Sequence, residues 1–227
     1  MSSGRPRRVA IVDHGLGNLF SVARACEAVG LEPAITSEAR VIAGADAVIL
    51  PGVGAFGDAM DTLRRLDLVS PIHDTVAAGR PMIGICLGVQ LLMTESCEFG
   101  HHQGLGLISG QVVPLRGRRD DGRPLKVPHV GWSAIHARDG AASEHWSGTP
   151  LEGLPSGGLA YFVHSYVVVP EDPEVVLSTT QYGDVEFCSS LRRGSLFACQ
   201  FHPERSGPDG LRVYANLRRM LEAPAES

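Results

Sequence analysis

The sequence predicts an α/β fold: a mostly parallel sheet with helices on both faces and an antiparallel β extension. Three observations carry that prediction. Apolar strand-like runs alternate with helical segments from Arg8 to about Thr94, the pattern of parallel strands joined by crossover helices. Two glycine-bearing junctions, PGVG at 51–54 and GICLG at 84–88, fall where such runs end, and open parallel sheets bind ligands at the carboxyl ends of their strands. From Gly104 to Gln200 the runs turn β-like and are punctuated by Gly and Pro, the signature of antiparallel strands.

Composition bounds what this fold can do. The chain has 227 residues, 44% hydrophobic and 20% charged, enough for a single domain over 1–227 with an ordered core of about 8–222. A net charge of −5 argues against a nucleic-acid or anionic-membrane binder. The opening Ser2–Arg8 is short, basic and polar, and no apolar run is long enough to span a bilayer. A cytoplasmic protein without a secretion signal is expected. Five cysteines (Cys26, Cys86, Cys97, Cys188, Cys199), with no CxxC pair, fit reduced thiols in that compartment.

Arg8–Asp13 (RVAIVD) reads as a buried strand, and HGLGN then turns into a helix over about Leu19–Val29, with Asn18 in position to cap it. Pro33–Thr36 and Ala45–Leu50 are the next strands, the second closed by Pro51. PGVGAFGDAM forms a glycine-rich loop and enters a helix over about Ala55–Arg65. The loop lacks a P-loop lysine and G-x-G-x-x-G spacing, so amides for an oxyanion suit it better than phosphate or dinucleotide binding. A helix closes at Asp74–Gly79, Met82–Ile85 is a strand, and Leu87–Thr94 opens another helix. Beyond it, GLGLISGQVVPL, AIHA, LAYFVHSYVVV, EVVLSTTQYG, VEFCSSL and SLFACQF are the strand runs. Arg116–Pro124 reads as a charged hairpin or loop, Asp139–Gly148 as surface, and Asp209–Leu221 as the closing helix.

Chemistry concentrates in two places. Cys86 lies at a strand-to-helix junction with Gly84 and Gly88 two residues either side, the thiol counterpart of the G-x-S-x-G nucleophile elbow. The following helix would present free amides and a positive dipole end to a thiolate or an oxyanion. A lone G-x-C-x-G fits a buried structural cysteine between two helix-packing glycines better, so the elbow needs a base. CQFHPERSG at 199–207 supplies one. His202 precedes a proline, which holds it extended at a strand tip. Glu204 can take the imidazole nitrogen that does not face the nucleophile, giving a Cys-His-Glu acyl-transfer triad. His101 and His102 with His129 could suggest a metal, but the carboxylates and cysteines lack ligand spacing, and neither metal nor cofactor is expected.

GICLGVQLL together with QFHPE resembles the signature pair of the class I, triad-type glutamine amidotransferases, and the likeness runs from about Val9 to Leu221. It implies a flavodoxin-like three-layer fold and hydrolysis of the glutamine amide through a glutamyl thioester, with ammonia passed to a synthase. The stretches DHGLGNLFSV, PGVGAFGDAM, ESCEFGHHQGLGLISG, KVPHVGWS, YFVHSY and QFHPERSG are similar to the branch whose partner is a (β/α)8-barrel cyclase of histidine biosynthesis. The resemblance implies that Cys86 attacks, His202 moves the proton and Glu204 orients His202. Gly52, Val53 and Leu87 would form the oxyanion hole, and Gly54, Gln90, Glu98, His164, Ser165 and Tyr166 would hold the glutamine. Asn18, Val130, Trp132, Tyr161 and Arg205 would face the partner. An oxyanion hole built from a glycine-rich strand can switch by one peptide rotation, so the PGVG loop is expected to be set for catalysis only when the partner binds.

The chain departs from the usual pattern in several places. His14 stands where tyrosine is common, Val89 where methionine is, Ser133 where asparagine follows Gly-Trp, Cys97 where an acid precedes Glu98, and Arg205 where lysine is frequent. These departures, with the cysteines in VEFCSS and FACQF, leave room for a paralogue feeding a different barrel synthase, for example in amidine formation on a surface sugar. A non-catalytic regulatory protein on the same scaffold is disfavoured by the intact triad.

Overall fold

The computed structural model describes residues 5, 7–138 and 143–222. In chain order the first half is β1 (Arg8–Val12), α1 (Leu19–Ala28), β2 (Glu32–Thr36), α2 (Ala39–Ala43), β3 (Ala47–Gly52), α3 (Phe56–Arg65), α4 (Val69–Ala77), β4 (Met82–Cys86) and α5 (Leu87–Leu91). The second half is β5 (Met93–Ser96), β6 (His102–Gln103), β7 (Ile108–Pro114), β8 (His129–Ala137), β9 (Gly158–His164), β10 (Tyr166–Pro170), β11 (Val176–Tyr182), β12 (Val185–Arg193), β13 (Leu196–Cys199) and α6 (Gly207–Glu222).

A nine-stranded sheet runs β2-β1-β3-β4-β13-β12-β11-β8-β9, and a four-stranded sheet runs β10-β7-β5-β6. Its parallel part, β2-β1-β3-β4-β13, is the doubly wound order. Of these strands, β1, β3, β4 and β13 are apolar on both faces, whereas the edge strand β2 is largely exposed. Val9, Ile11, Ile49, Ile83, Ile85 and Phe197 meet α1 and α6 on one side. Ala10, Val12, Val48, Leu50, Met82 and Leu196 meet α2–α5 on the other. Two-sided burial explains why these strands read as continuous apolar runs. In α3, Phe56, Ala59, Met60 and Leu63 are buried at helical spacing, and Asp58 and Arg64–Arg65 sit at the ends that the helix dipole favours.

The structure corrects several expectations. Asn18 occupies the cap position of α1, but its side chain makes no capping bond. The five-residue α2 buries only Ile42, too little periodicity to signal a helix in sequence. β3 runs on through Pro51 to Gly52. The helix after Cys86 stops at Leu91, because Met93–Ser96 turns back as a strand of the second sheet. The second half is not wholly antiparallel: β13 lies parallel to β4, and β5 parallel to β7. LAYFVHSYVVV is not one strand; it divides at Ser165 between the two sheets. Of Asp139–Gly148, residues 139–142 lie outside the described residues, and Trp146 is fully buried, its indole N–H donating to the Leu177 carbonyl at 3.0 Å. Arg118 and Pro124 pair across the expected hairpin.

Candidate active site

The site is built where β3, β4 and β13 end side by side. Cys86 closes β4 with φ +55° and ψ −107°, a backbone region that side-chain-bearing residues rarely enter. The glycines around it are steric requirements. A β-carbon on Gly88 would meet the Leu50 carbonyl oxygen at 1.9 Å, and one on Gly84 would meet the Gly88 carbonyl at 3.1 Å. Their absence lets α5 pack tightly against β3 and β4 and turns the Cys86 thiol out of the sheet. Because α5 has only five residues, its macrodipole is small; what it offers are first-turn amides, Leu87 among them, with no acceptor inside the helix.

His202 follows β13 and is held by two backbone bonds: its N–H donates to the Tyr161 carbonyl at 2.9 Å, and the Ser206 hydroxyl donates to its carbonyl at 2.7 Å. Its Nδ1–H donates to Glu204 Oε1 at 2.8 Å, with both side chains almost wholly buried. The neutral ring therefore keeps its lone pair on Nε2. That atom forms no hydrogen bond among the described residues. Burial lowers the ring's pKa, but Cys86 and Glu204 outweigh it and hold the pKa above the ordinary value. The arrangement suits a base that takes the thiol proton and stores it as imidazolium beside a thiolate; such contacts often tighten only when substrate binds.

In front of Cys86 opens a cavity of about 220 Å³. It is lined by Val53, Gly54, Cys86, Leu87, Gln90, Glu98, His164, Ser165 and Tyr166, with Pro128 and Val163. Of the predicted ligand-facing residues, only Gly52 is off the wall. It lies beneath, in register with Cys86 and against Leu87 and His14. Glu98 accepts the first amide of α3, Phe56 N–H, at 2.6 Å. Its carboxylate is thereby fixed in the wall, a counter-charge for an ammonium. His202 and Glu204 stand behind Cys86, off the cavity surface.

The predicted partner-facing residues fall into one cluster with an outlier. Trp132 and Tyr161 are cross-strand neighbours with rings 6.1 Å apart, and the Arg205 guanidinium sits 4.5 Å over the Tyr161 ring. Val130 is on the same strand as Trp132, and both are exposed. Asn18 is exposed at the start of α1, which packs against the Pro203–Arg205 turn. The three histidines considered for metal separate: His101 bonds Glu95, His102 packs on Phe56, and His129 is buried in β8. Among the described residues, no group of three or more His, Cys, Asp or Glu side chains is placed to hold a metal ion.

Sequence reasoning missed three participants. Val163 offers its carbonyl to the Cys86 thiol at 3.6 Å. His14, read only as a departure, is buried behind the PGVG loop, where its Nε2–H donates to the Pro51 carbonyl at 2.9 Å. Gln200 is fully buried with Nε2 3.7 Å from Cys86 Sγ. It stood inside the QFHPE stretch, but nothing in a strand-end glutamine tells which way its amide turns.

A family model, glutamine amidotransferase class-I, matches residues 10–218. The chain is 48% identical over 218 residues to the imidazole glycerol phosphate synthase subunit HisH of Rhodopirellula baltica, covering 96% of this chain and 98% of that one. It is 45% identical over 218 residues to HisH of Aquifex aeolicus, at 95% and 98% coverage. Among solved structures it is similar in fold to PurLQS from Thermotoga maritima (TM-score 0.68, 19% identity, 95% of this chain and 99% of that one). It is also similar to the glutaminase domain of Trypanosoma brucei CTPS with bound acivicin (TM-score 0.66, 17% identity, 95% and 94%). With an elbow cysteine, a buried His-Glu pair and a cavity between them and Glu98, the chain belongs to the class I glutamine amidotransferase family, among its imidazole glycerol phosphate synthase HisH subunits.

Proposed function

We propose that this chain is the glutaminase subunit of an imidazole glycerol phosphate synthase, releasing ammonia from L-glutamine for a (β/α)8-barrel cyclase subunit in histidine biosynthesis. The observation that carries the reading is the position of Cys86, with the buried His202–Glu204 pair behind it and the Glu98-bearing cavity in front. His202 Nε2 accepts the thiol proton, and Sγ attacks the carboxamide carbon. The amides of Leu87 and of the Gly52–Val53 segment receive the oxyanion. The imidazolium returns its proton to the departing nitrogen, which leaves as ammonia, and water then resolves the thioester with His202 again as base. Glu98 receives the substrate ammonium, while Gly54, Gln90, His164, Ser165 and Tyr166 shape the rest of the cavity. The Val130–Trp132–Tyr161–Arg205 face, together with Asn18 at the start of α1, receives the cyclase, and the PGVG loop becomes catalytically set when that partner docks.

Near-full-length identity to HisH subunits favours the histidine-pathway partner over a paralogue's synthase. A cytoplasmic location fits this role; among the described residues no helix is long and apolar enough to cross a membrane. The test is acid quenching during turnover followed by peptide mass spectrometry. A glutamyl adduct on the Cys86 peptide, absent in Cys86→Ala, is expected; an adduct on any other residue would overturn the assignment.

A further inference from the structure

The Tyr166 carbonyl can only accept, and two buried side chains bond to it. His164 donates through Nδ1 at 2.9 Å and Gln90 through Nε2 at 3.2 Å. Gln90 Nε2 also lies 3.1 Å from the side-chain amide of Gln200. The atom of Gln200 facing that donor must therefore be its oxygen. Its other end is then an N–H donor, 3.7 Å from Cys86 Sγ. The orientation of Gln200 is thus dictated by a backbone carbonyl two bonds away, not by a free choice of amide flip. Gln200 is pinned in place as well, since its backbone N–H donates to the Ser189 carbonyl at 2.9 Å.

We propose that Gln200 is a catalytic residue: its side-chain N–H holds Cys86 Sγ as the thiolate and keeps it aimed at the glutamine carboxamide. The proton leaving Sγ goes to His202 Nε2, and Gln200 exchanges none. Two carbonyl or amide groups compete over the sulfur. The Val163 carbonyl, 3.6 Å away, is an acceptor that only the neutral thiol can use. The Gln200 N–H bonds most strongly to the charged sulfur, so it tips the balance toward thiolate. The titratable groups nearest this sulfur are His202 and Glu204 after β13, Cys199 on β13, and Glu98 and His164 in the cavity wall. Gln200 is the neutral, fixed donor among them. The role rests on Cys86 being the nucleophile.

The test is the pH dependence of Cys86 alkylation by iodoacetamide, followed on the Cys86 peptide in wild type, Gln200→Met and Gln200→Glu. Methionine keeps length and burial without the N–H; glutamate keeps an acceptor for Gln90 but sets negative charge against Sγ. In Gln200→Met the alkylation curve should move up by about one pH unit, making reaction at pH 7 about tenfold slower, and kcat should fall with KM little changed. Gln200→Glu should be slower still. Curves superimposed on wild type in folded variants would overturn the proposal while leaving Cys86 as nucleophile. A wild-type Cys86 that shows no more reactivity than Cys97 would instead remove the nucleophile assignment on which it rests. The wild type gives a readout that needs no substitution: in 15N-labelled protein, alkylating Cys86 should shift the Gln200 side-chain amide resonance, and an unmoved resonance would count against the proposal.

Discussion

His202 donates its backbone N–H to the carbonyl of Tyr161, so the proposed base hangs on the strand whose Tyr161 packs between Trp132 of β8 and Arg205 of the turn after β13. A partner pressing on that stack bears directly on the position of the imidazole. Trp132 is half-exposed at 53% and large, the kind of side chain that anchors interfaces. Trp132→Ala should weaken binding of the proposed cyclase subunit at least about fivefold, equivalent to about 1 kcal/mol or more. Isothermal titration measures this, and an unchanged affinity would place the partner elsewhere.

Removing the charge of Glu204 while keeping its shape separates orientation from electrostatics. Glu204→Gln can still accept from His202 Nδ1, but it no longer stabilises the imidazolium. Glutaminase kcat should fall by about 10²–10³, with KM nearly unchanged. Steady-state ammonia release checks it; a loss below tenfold would mean that Glu204 does not act through His202.

Gly88 has no room for a side chain against Leu50. Gly88→Ala must push α5 off β3, and the unfolding free energy should drop by about 3 kcal/mol, at the upper end of overpacking costs. Urea unfolding gives the number. Alanine tolerated within about 0.5 kcal/mol would contradict the close contact.

The pair His129 and His164 predicts how stability depends on pH. Their rings are 3.0 Å apart through Nδ1 and Nε2, and His129 Nε2 takes the Ser133 hydroxyl at 2.9 Å. Burial lowers the pKa of His129 to about 4, and that of His164 to about 3 despite the bond to the Tyr166 carbonyl, which raises it. The unfolded chain takes up protons near pH 6.5 that the folded chain refuses. Stability should therefore fall as pH drops below about 6.5, by at most ~1.4 kcal/mol per pH unit per histidine, until the folded values are reached. His202, with its pKa raised, works in the other window: its contribution is complete below about 6.5 and is lost as pH rises through its folded value. Denaturant unfolding at pH 7, 6 and 5 tests this; an unfolding free energy flat across that range would contradict the neutral pair.

The grouping of Cys86 with the His202–Glu204 pair was legible because each of its determinants is local. The elbow needs glycines two residues from Cys86, and the base needs a strand tip before a proline, with an acid two residues on. The parallel core was legible because strands buried on both faces have to be continuously apolar. What escaped depends on contacts distant in sequence. Met93–Ser96 looks like a continuing helix until β7 is there to pair with it, and β13 looks like one more antiparallel strand until it docks on β4. Nothing near Ser165 marks the point where one apolar run passes between sheets. The orientation of Gln200 is set only by Gln90 and Tyr166, residues brought to it by α5 and β10.

Ammonia release from glutamine, measured with the purified chain alone and then with the barrel cyclase of the same organism and its ribonucleotide substrate, tests the central claim most directly. The account predicts slow release alone and strong activation by the liganded partner, all of it lost in Cys86→Ala. Equal turnover with and without the partner, or activity surviving Cys86→Ala, would contradict it.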